Sequence, residues 1–366
     1  MKAEEITTEC HDGYVPAWAE TELDRLYGNI YSSLAHFRLF GGLEDAYTYI
    51  ARQGRDGKVL ALFLFRLEQH RVVVLNEGML LETEEVERFT SYIFQRFASV
   101  CVVEFHAVHA PMKSSSRPYQ RYYQTEDFLL RLPDSPEAYL AMLGSATRKN
   151  VKKYLNRWQR EFPETEILVF EKGQIGERDL RDVVSFNHMR MAAKNKVSAI
   201  DETEFQTMMK LAHECGLLCV TRVNGRVCAG TLLYRFGDHY VSRITAHDTQ
   251  YDEHRLGTLA CYWAINEAIR RGGQTFHFMW GRYPYKSALG GVLYELDHIA
   301  IYRSYWHLLR QSRLAAMTAY SGYQREAKMW LLNQAERGTG WMPRMLHAGV
   351  NLAKTLKRMR LGRATS

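Results

Sequence analysis

The chain lacks any long uncharged stretch. Its longest run without Asp, Glu, Lys or Arg is the 12 residues Leu26–Phe37. A membrane-spanning helix needs roughly 18 or more apolar residues, so a helical transmembrane protein is excluded. The opening residues Met1-Lys2-Ala3-Glu4-Glu5 are acidic and have no apolar core, so no signal peptide is expected. Without export, the six cysteines are expected to stay reduced in a cytoplasmic protein. Paired Cys-x-x-Cys spacing is missing around His213, Cys215, Cys219 and Cys228, and Cys219 and Cys228 fall inside predicted strands. No metal is therefore expected. Cys10 and Cys261 have no histidine at a recognisable spacing, which leaves thiol catalysis unsupported. Gly41-Gly42 is not followed by the Lys-Ser/Thr of a phosphate loop, so nucleotide hydrolysis is not expected.

The composition is that of a globular protein, with 46% hydrophobic and 24% charged residues. A length of 366 residues suggests two domains at roughly 100–200 residues each. The net charge of +7 is uneven. Arg303–Ser366 holds 12 Lys/Arg against two acids, a net +10, which leaves the first 302 residues at −3. Basicity therefore belongs to the tail, which argues against a nucleic-acid enzyme with a broad basic core face. After Pro343 the tail reads as a basic amphipathic helix. Met345, Leu352, Leu356 and Met359 share one face, and Lys354, Lys357 and Arg358 share another. Such a helix either packs on its own domain or lies on anionic lipid.

Turn and periodicity signals divide the rest. Apolar runs predict strands at Val59–Phe65, Val72–Leu75, Val100–Phe105 and Asp127–Leu132, with a helix over Glu84–Phe97. Pro111–Pro118 reads as a linker. Ser135-Pro136-Glu137 is a helix start, and Ser145 is the expected cap of a second helix ending near Glu161. In that helix Val151, Leu155 and Trp158 form the buried stripe, and Arg148, Lys149, Lys152, Lys153, Arg157 and Arg160 cover the remainder. Beyond it lie a strand at Glu166–Phe170, helices at Glu177–Lys194 and Glu202–Cys215, and strands at Leu217–Val223 and Arg226–Phe236 joined by Asn224-Gly225, a hairpin signal. A strand at His239–Ala246, a polar loop, a helix from Gly257 to Arg271, strand Thr275–Trp280, a short helix from Tyr285 and strand Tyr294–Tyr302 complete the order β-α-α-β-β-β-α-β-α-β. The first half is a shorter version of the same idea.

Three segments resemble the GNAT acetyltransferases, in particular the CelD-like branch tied to cellulose and exopolysaccharide biosynthesis, which is related to the Fem-type transferases. They are Ser145-Ala146-Thr147-Arg148-Lys149-Asn150-Val151-Lys152-Lys153, the loop and helix opened by Asp248 through Gly257, and Gly281-Arg282-Tyr283-Pro284-Tyr285-Lys286. The resemblance spans roughly residues 40–302 and implies an α/β GNAT (acyl-CoA N-acyltransferase) fold. It would be a tandem pair with a degenerate copy at 1–132, a catalytic domain at 133–302 and a basic helical extension at 303–366.

The resemblance implies acetyl-CoA, or another acyl-CoA, as co-substrate. Independently, a helix opening on glycine after a polar loop offers unpaired N–H groups and a positive dipole end, suited to a pyrophosphate. Arg255, Leu256, Gly257 and Thr258 are the candidates there, although the segment departs from the family's Gln/Arg-x-x-Gly-x-Gly/Ala. Tyr285 is the candidate proton donor to the leaving thiolate, and Lys286 and Arg282 are candidate acceptor ligands. His247, Asp248 and His277 are candidate bases. His277 stands in Phe276-His277-Phe278, where the family commonly has Asp, and a histidine serves as a base near neutral pH. His188 and Arg190 resemble the family's acceptor-facing pair.

The expected activity is N-acylation of an amino-sugar or sugar-linked intermediate in cell-surface polysaccharide synthesis. The partners implied are an amine-bearing sugar or lipid-linked intermediate, an anionic membrane surface met through 344–363 on the inner face of the cell membrane, and a second copy in a homodimer. The competing readings are a Fem-like transfer from aminoacyl-tRNA onto a peptidoglycan precursor, with tRNA the less favoured ligand, and a non-catalytic scaffold of a polysaccharide synthase.

Overall fold

The computed structural model describes residues 6–54, 57–193 and 197–337. The first half runs β1 (Ile6–His11), α1 (Ala19–Tyr27), α2 (Leu34–Phe40), β2 (Tyr47–Gln53), β3 (Val59–Glu68), β4 (Arg71–Val74), α3 (Thr83–Arg96), β5 (Val102–Val108) and β6 (Tyr119–Arg131). Two connecting helices follow, α4 (Pro136–Met142) and α5 (Ser145–Glu161). The second half runs β7 (Thr165–Glu171), α6 (Glu177–Ala193), α7 (Glu202–Cys215), β8 (Gly216–Val223), β9 (Arg226–Phe236), β10 (His239–His247), α8 (Leu256–Arg270), β11 (Thr275–His277), α9 (Pro284–Ala288) and β12 (Val292–Tyr302). Helices α10 (Tyr305–Arg310) and α11 (Ser312–Arg337) close the described chain. The basic segment 344–363 lies outside the described residues.

Apart from the extra α9, both halves have one order, β-α-α-β-β-β-α-β-β. All twelve strands form a single sheet in the order β1-β2-β3-β4-β5-β12-β6-β11-β10-β9-β8-β7. Each half's sixth strand is exchanged: β12 pairs antiparallel with β5, and β6 pairs antiparallel with β11. The two exchanged strands also pair with each other from Val292↔Leu129 to Ile301↔Tyr119. The sheet therefore runs unbroken across the junction at 132.

The second half is covered on both faces, and its strands show why. In β8, Leu218 and Val220 join the core beneath α6 and α7, while Leu217 and Cys219 join the core beneath α8. Alternate residues of a strand point to opposite faces, so both sets are apolar and buried. The β8–β9 turn has Asn224 and Gly225 at φ 50° and 74°, the two left-handed residues that a tight hairpin needs. Ser135 caps α4 by accepting from the Ala138 N–H.

The structure corrects several sequence expectations. Ser145 is the first residue of α5, not its cap; Gly144 holds that position without a side-chain bond. β6 begins at Tyr119 rather than Asp127, and β1, α1 and α2 were not anticipated. The strand expected over Thr275–Trp280 stops at His277, and Met279 turns the chain away at φ 62°.

Candidate active site

The early end of β11 opens a cleft. The parallel strands β10 and β11 pair over only three positions, His239–Val241 with Thr275–His277. Past them β10 carries an irregularity between Ser242 and Ile244, which bends a strand away from its neighbour. Among the described residues no backbone hydrogen bond links 242–248 to 278–283. The same place in the first half is shut. There β4 and β5 also pair in parallel over three positions, but the gap beyond is stitched by Gly78 N–Ala107 O, Leu81 N–His109 O and His109 N–Met79 O, each at 2.8 Å. The helix that follows, α3, opens with Glu82 and Glu85 in a reciprocal capping box. Two carboxylates at a helix start repel the anion that its dipole would attract.

Helix α8, by contrast, starts without an acid in its first turn. Arg255 precedes it in the left-handed conformation, at φ 57°. Its carbonyl accepts from the N–H groups of Thr258 and Leu259. Its side chain is exposed and has no carboxylate partner among the described residues. Leu256 is buried in the core, and Gly257 and Thr258 are half-buried. Gly257 is required by packing: a Cβ there would stand 2.6 Å from His247 Nδ1. His247 thus fills the space that the sequence suggested was left for a ligand. Its Nε2 bonds Asp252 at 2.8 Å, which makes it a support of the α8 start. Asp248 is similarly occupied. It caps the 249–254 turn by accepting from the Gln250 N–H and side-chain amide. These contacts do not bring His247 or Asp248 to a substrate as a base. The residues present at the α8 start, a cationic side chain and a helix N-terminus, fit a pyrophosphate.

Across the cleft, the turn from β11 into α9 is gripped from inside. Lys286 is 2% exposed. Its Nζ donates to the carbonyls of Met279 at 2.8 Å and Trp280 at 2.6 Å. Burial pulls its amine down to about 8, against the pull of Asp127 and Glu126. The Arg282 guanidinium is likewise committed, to Glu126 at 2.6 Å and Glu295 at 2.7 Å. Both side chains hold the turn rather than standing free for a substrate. Tyr285, one residue into α9 after Pro284, is turned to the surface with its ring 39% exposed. It stacks with Tyr283 and meets Phe278 edge-on. Desolvation, with the nearby Cys261, pushes its phenol well above the ordinary tyrosine range, so it stays protonated at neutral pH. Trp280 and Tyr283 beside it are exposed.

His277 is the residue least like its expectation. It is 4% exposed, with Nδ1 2.6 Å from Asp127 Oδ2 and Nε2 3.2 Å from Thr275 Oγ1, which in turn meets His239 at 2.7 Å. Both ring nitrogens are engaged, so neither faces an amine. The first half repeats the motif with acid and base exchanged. Glu104 is the third paired residue of β5, as His277 is of β11, and it lies 3.7 Å from His298 of β12. On α6, His188 Nε2 bonds the Ile200 carbonyl at 2.8 Å and supports the following loop. Arg190 Nη2 donates to Asn187 Oδ1 at 3.1 Å. Asp127, Glu126, Trp280 and Tyr283 were not among the candidate site residues. Only the last two carry a local signal, aromatics inside or next to the Gly281–Lys286 motif.

Residues 145–287 match the family model described as an acetyltransferase (GNAT) domain, and the chain therefore carries a GNAT-type acetyltransferase domain there. The large mixed sheet with its helical C-terminal region is a GNAT-like fold. Among solved structures, FemX is similar with a TM-score of 0.51 at 10% identity, over 79% of this chain and 96% of that one. The C-terminal domain of a putative lysylphosphatidylglycerol synthetase from Agrobacterium fabrum aligns at 0.43 and 12% identity, over 71% and 84%. A tandem GNAT protein from the clavulanic acid biosynthesis pathway aligns at 0.38 and 11%, over 81% and 98%. No curated protein matches the sequence. At such identities the FemX likeness shows the fold, not the chemistry. No described helix is long and apolar enough to cross a membrane.

Proposed function

We propose that the protein is an acyl-CoA-dependent N-acyltransferase, with acetyl-CoA the expected donor. The observation that carries this reading is the open β10–β11 cleft, bounded by the α8 start with Arg255 and by Tyr285. The donor pyrophosphate would take the N–H groups of Leu256 and Gly257 and the Arg255 guanidinium. The acceptor amine attacks the thioester carbonyl, a C–N bond forms and the C–S bond breaks. Tyr285 gives its proton to the departing thiolate sulfur. The proton lost by the amine leaves through water in the open cleft, because the His277 ring nitrogens are already engaged. An amino-sugar or lipid-linked sugar intermediate of cell-surface polysaccharide synthesis is the acceptor class we favour. The exposed rings of Trp280 and Tyr283 support it, since flat aromatic faces suit the apolar face of a sugar ring.

Calorimetry with acetyl-CoA and CoA tests the donor, on the wild type and on Arg255→Ala. Gly257 is the wrong position to alter, because any side chain there collides with His247. Micromolar binding lost in the variant supports the reading, and a screen of amines then seeks the acceptor. An absence of binding in both proteins refutes it. A second reading, transfer from aminoacyl-tRNA, is favoured by the exposed Lys149, Lys152, Lys153 and Arg160 on α5. Retention of tRNA that falls steeply with salt would select it. A scaffold role would be left if neither donor bound.

A further inference from the structure

A second surface stands apart from the cleft. Of the 21 large apolar side chains exposed among the described residues, seven lie between residues 305 and 330: Tyr305, Trp306, Leu309, Met317, Tyr320, Tyr323 and Trp330. On α11 the inner face is spent on the sheet, with Gly322 over Tyr122 of β6 and Ala315 and Thr318 buried. Its outer face carries Ala316, Tyr320, Tyr323, Ala327 and Trp330 at helical spacing, all exposed. Beside it, between α10, α11 and the 113–120 segment, runs a groove of about 610 Å³ floored by Leu308, Leu309 and Ala315. Lys113 and Arg117 line the same groove, and it has no acidic lining residue. Arg310 and Arg313 are exposed next to it. None of these four cations has a carboxylate partner among the described residues.

We infer that this face docks on a bilayer bearing anionic lipids, with the groove receiving the headgroup end of one such lipid. Tryptophan and tyrosine favour the boundary between headgroups and acyl chains, because one end of each ring is apolar and the other is wet. Lys113, Arg310 and Arg313 are exposed and drawn to an anionic leaflet, while Arg117 is held by Ser91 and the Phe94 ring. No acid lines the groove that Lys113 and Arg117 border; an exposed acid of α11, Glu326, lies outside that lining. The same strand links this face to the cleft: Tyr122 lies under α11 and Asp127 lies beside His277, roughly 17 Å apart at about 3.3 Å per residue. The inference rests on the described residues and stands whether or not the donor is an acyl-CoA.

The test is co-sedimentation of the full chain with vesicles of phosphatidylcholine alone and of phosphatidylcholine with 30% phosphatidylglycerol by composition, taking ~8 Å screening at physiological salt into account by repeating at high salt. Wild type is expected to pellet with the anionic vesicles only, and less so in high salt. Lys113→Gln with Arg310→Gln should lower partitioning by about 25-fold, at roughly fivefold per cation lost. Trp306→Ser with Tyr323→Ser should lower it further; Tyr323 also meets Tyr122 edge-on, so Trp306→Ser alone, 70% exposed, is the variant expected to leave the melting curve unchanged. Acetyl-CoA binding, read on the same preparations, should not move. Wild-type failure to pellet overturns the inference. So does undiminished pelleting of both variants, which would put the contact on another part of the chain. A wild-type dimer that Trp306→Ser with Tyr323→Ser makes monomeric, with no vesicle effect, would overturn it in favour of a subunit interface.

Discussion

Replacing Lys286 by methionine should change how stability depends on pH, by an amount that the structure fixes. The amine is buried and holds two backbone carbonyls, those of Met279 and Trp280. In an unfolded chain a lysine keeps its proton to its ordinary 10.5, whereas burial makes Lys286 release it at about 8. Between those values the unfolded state binds more protons, so stability rises with pH. Below pH 8 the full cost of the buried charge is present, about 3 kcal/mol. From pH 7 to 9.5 the wild type should therefore gain about 2 kcal/mol relative to Lys286→Met. Other groups titrate alike in both proteins and cancel in the difference. Denaturant melts at the two pH values measure it. Parallel pH dependence in the two proteins, within about 0.5 kcal/mol, would show that Lys286 is solvated and refute its role as the turn's buried clamp.

Three further outcomes follow from the cleft. Tyr285→Phe should lower kcat by about 100-fold with little change in KM, because the ring still packs while the proton donor is lost; unchanged kcat would remove Tyr285 from the chemistry. Arg255→Gly should weaken acetyl-CoA binding about 10-fold or more, the loss of one charge-assisted bond. It should not destabilise the fold: relief of about 1 kcal/mol of left-handed strain outweighs about 0.7 kcal/mol of added unfolded-chain entropy. A fall in melting temperature with intact binding would contradict both halves of that statement. His277→Ala should cost about 3 kcal/mol of stability by leaving Asp127 buried without its partner, while any variant protein that folds retains acetyl-CoA affinity; a lost pH optimum in a stably folded variant would instead make His277 a base.

Much of the second half was legible because its turns are written in local chemistry. Asn224-Gly225 and Ser135-Pro136 each mark a boundary that the structure respects to within a residue or two. The edge strand β1 was not legible: its burial alternates poorly, so the period-2 signal is absent. The polar and aromatic start of β6, Tyr119–Tyr123, hid a strand whose side chains are mostly half-buried between α11 and the sheet. Within the site, residue types were read more reliably than their tasks. Arg282 and Lys286 are where the sequence put them, yet their charges are consumed by Glu126, Glu295 and two backbone carbonyls. Asp127 was invisible because its partner His277 is 150 residues away, and no local pattern encodes that pairing.

The strand exchange explains why one half can close while the other opens. Each fifth strand gains its outer neighbour from the opposite half, so the centre of the sheet, β5-β12-β6-β11, is held whatever happens at either cleft. At equivalent positions flanking this centre stand His277 with Asp127 and Glu104 with His298. Because the same pairing occurs in the half whose gap is stitched shut and whose helix opens on Glu82 and Glu85, it cannot owe its existence to acyl transfer. It is a device of the sheet, setting an acid against a histidine where two parallel strands end their pairing. What distinguishes the second half lies outside that device. β11 is three residues long, Met279 turns the chain out under the grip of Lys286, and α8 opens on Arg255 and Gly257 without a carboxylate in its first turn. Those differences keep one gap apart and leave Arg255 free at its edge, as the proposed acyl-CoA donor would require.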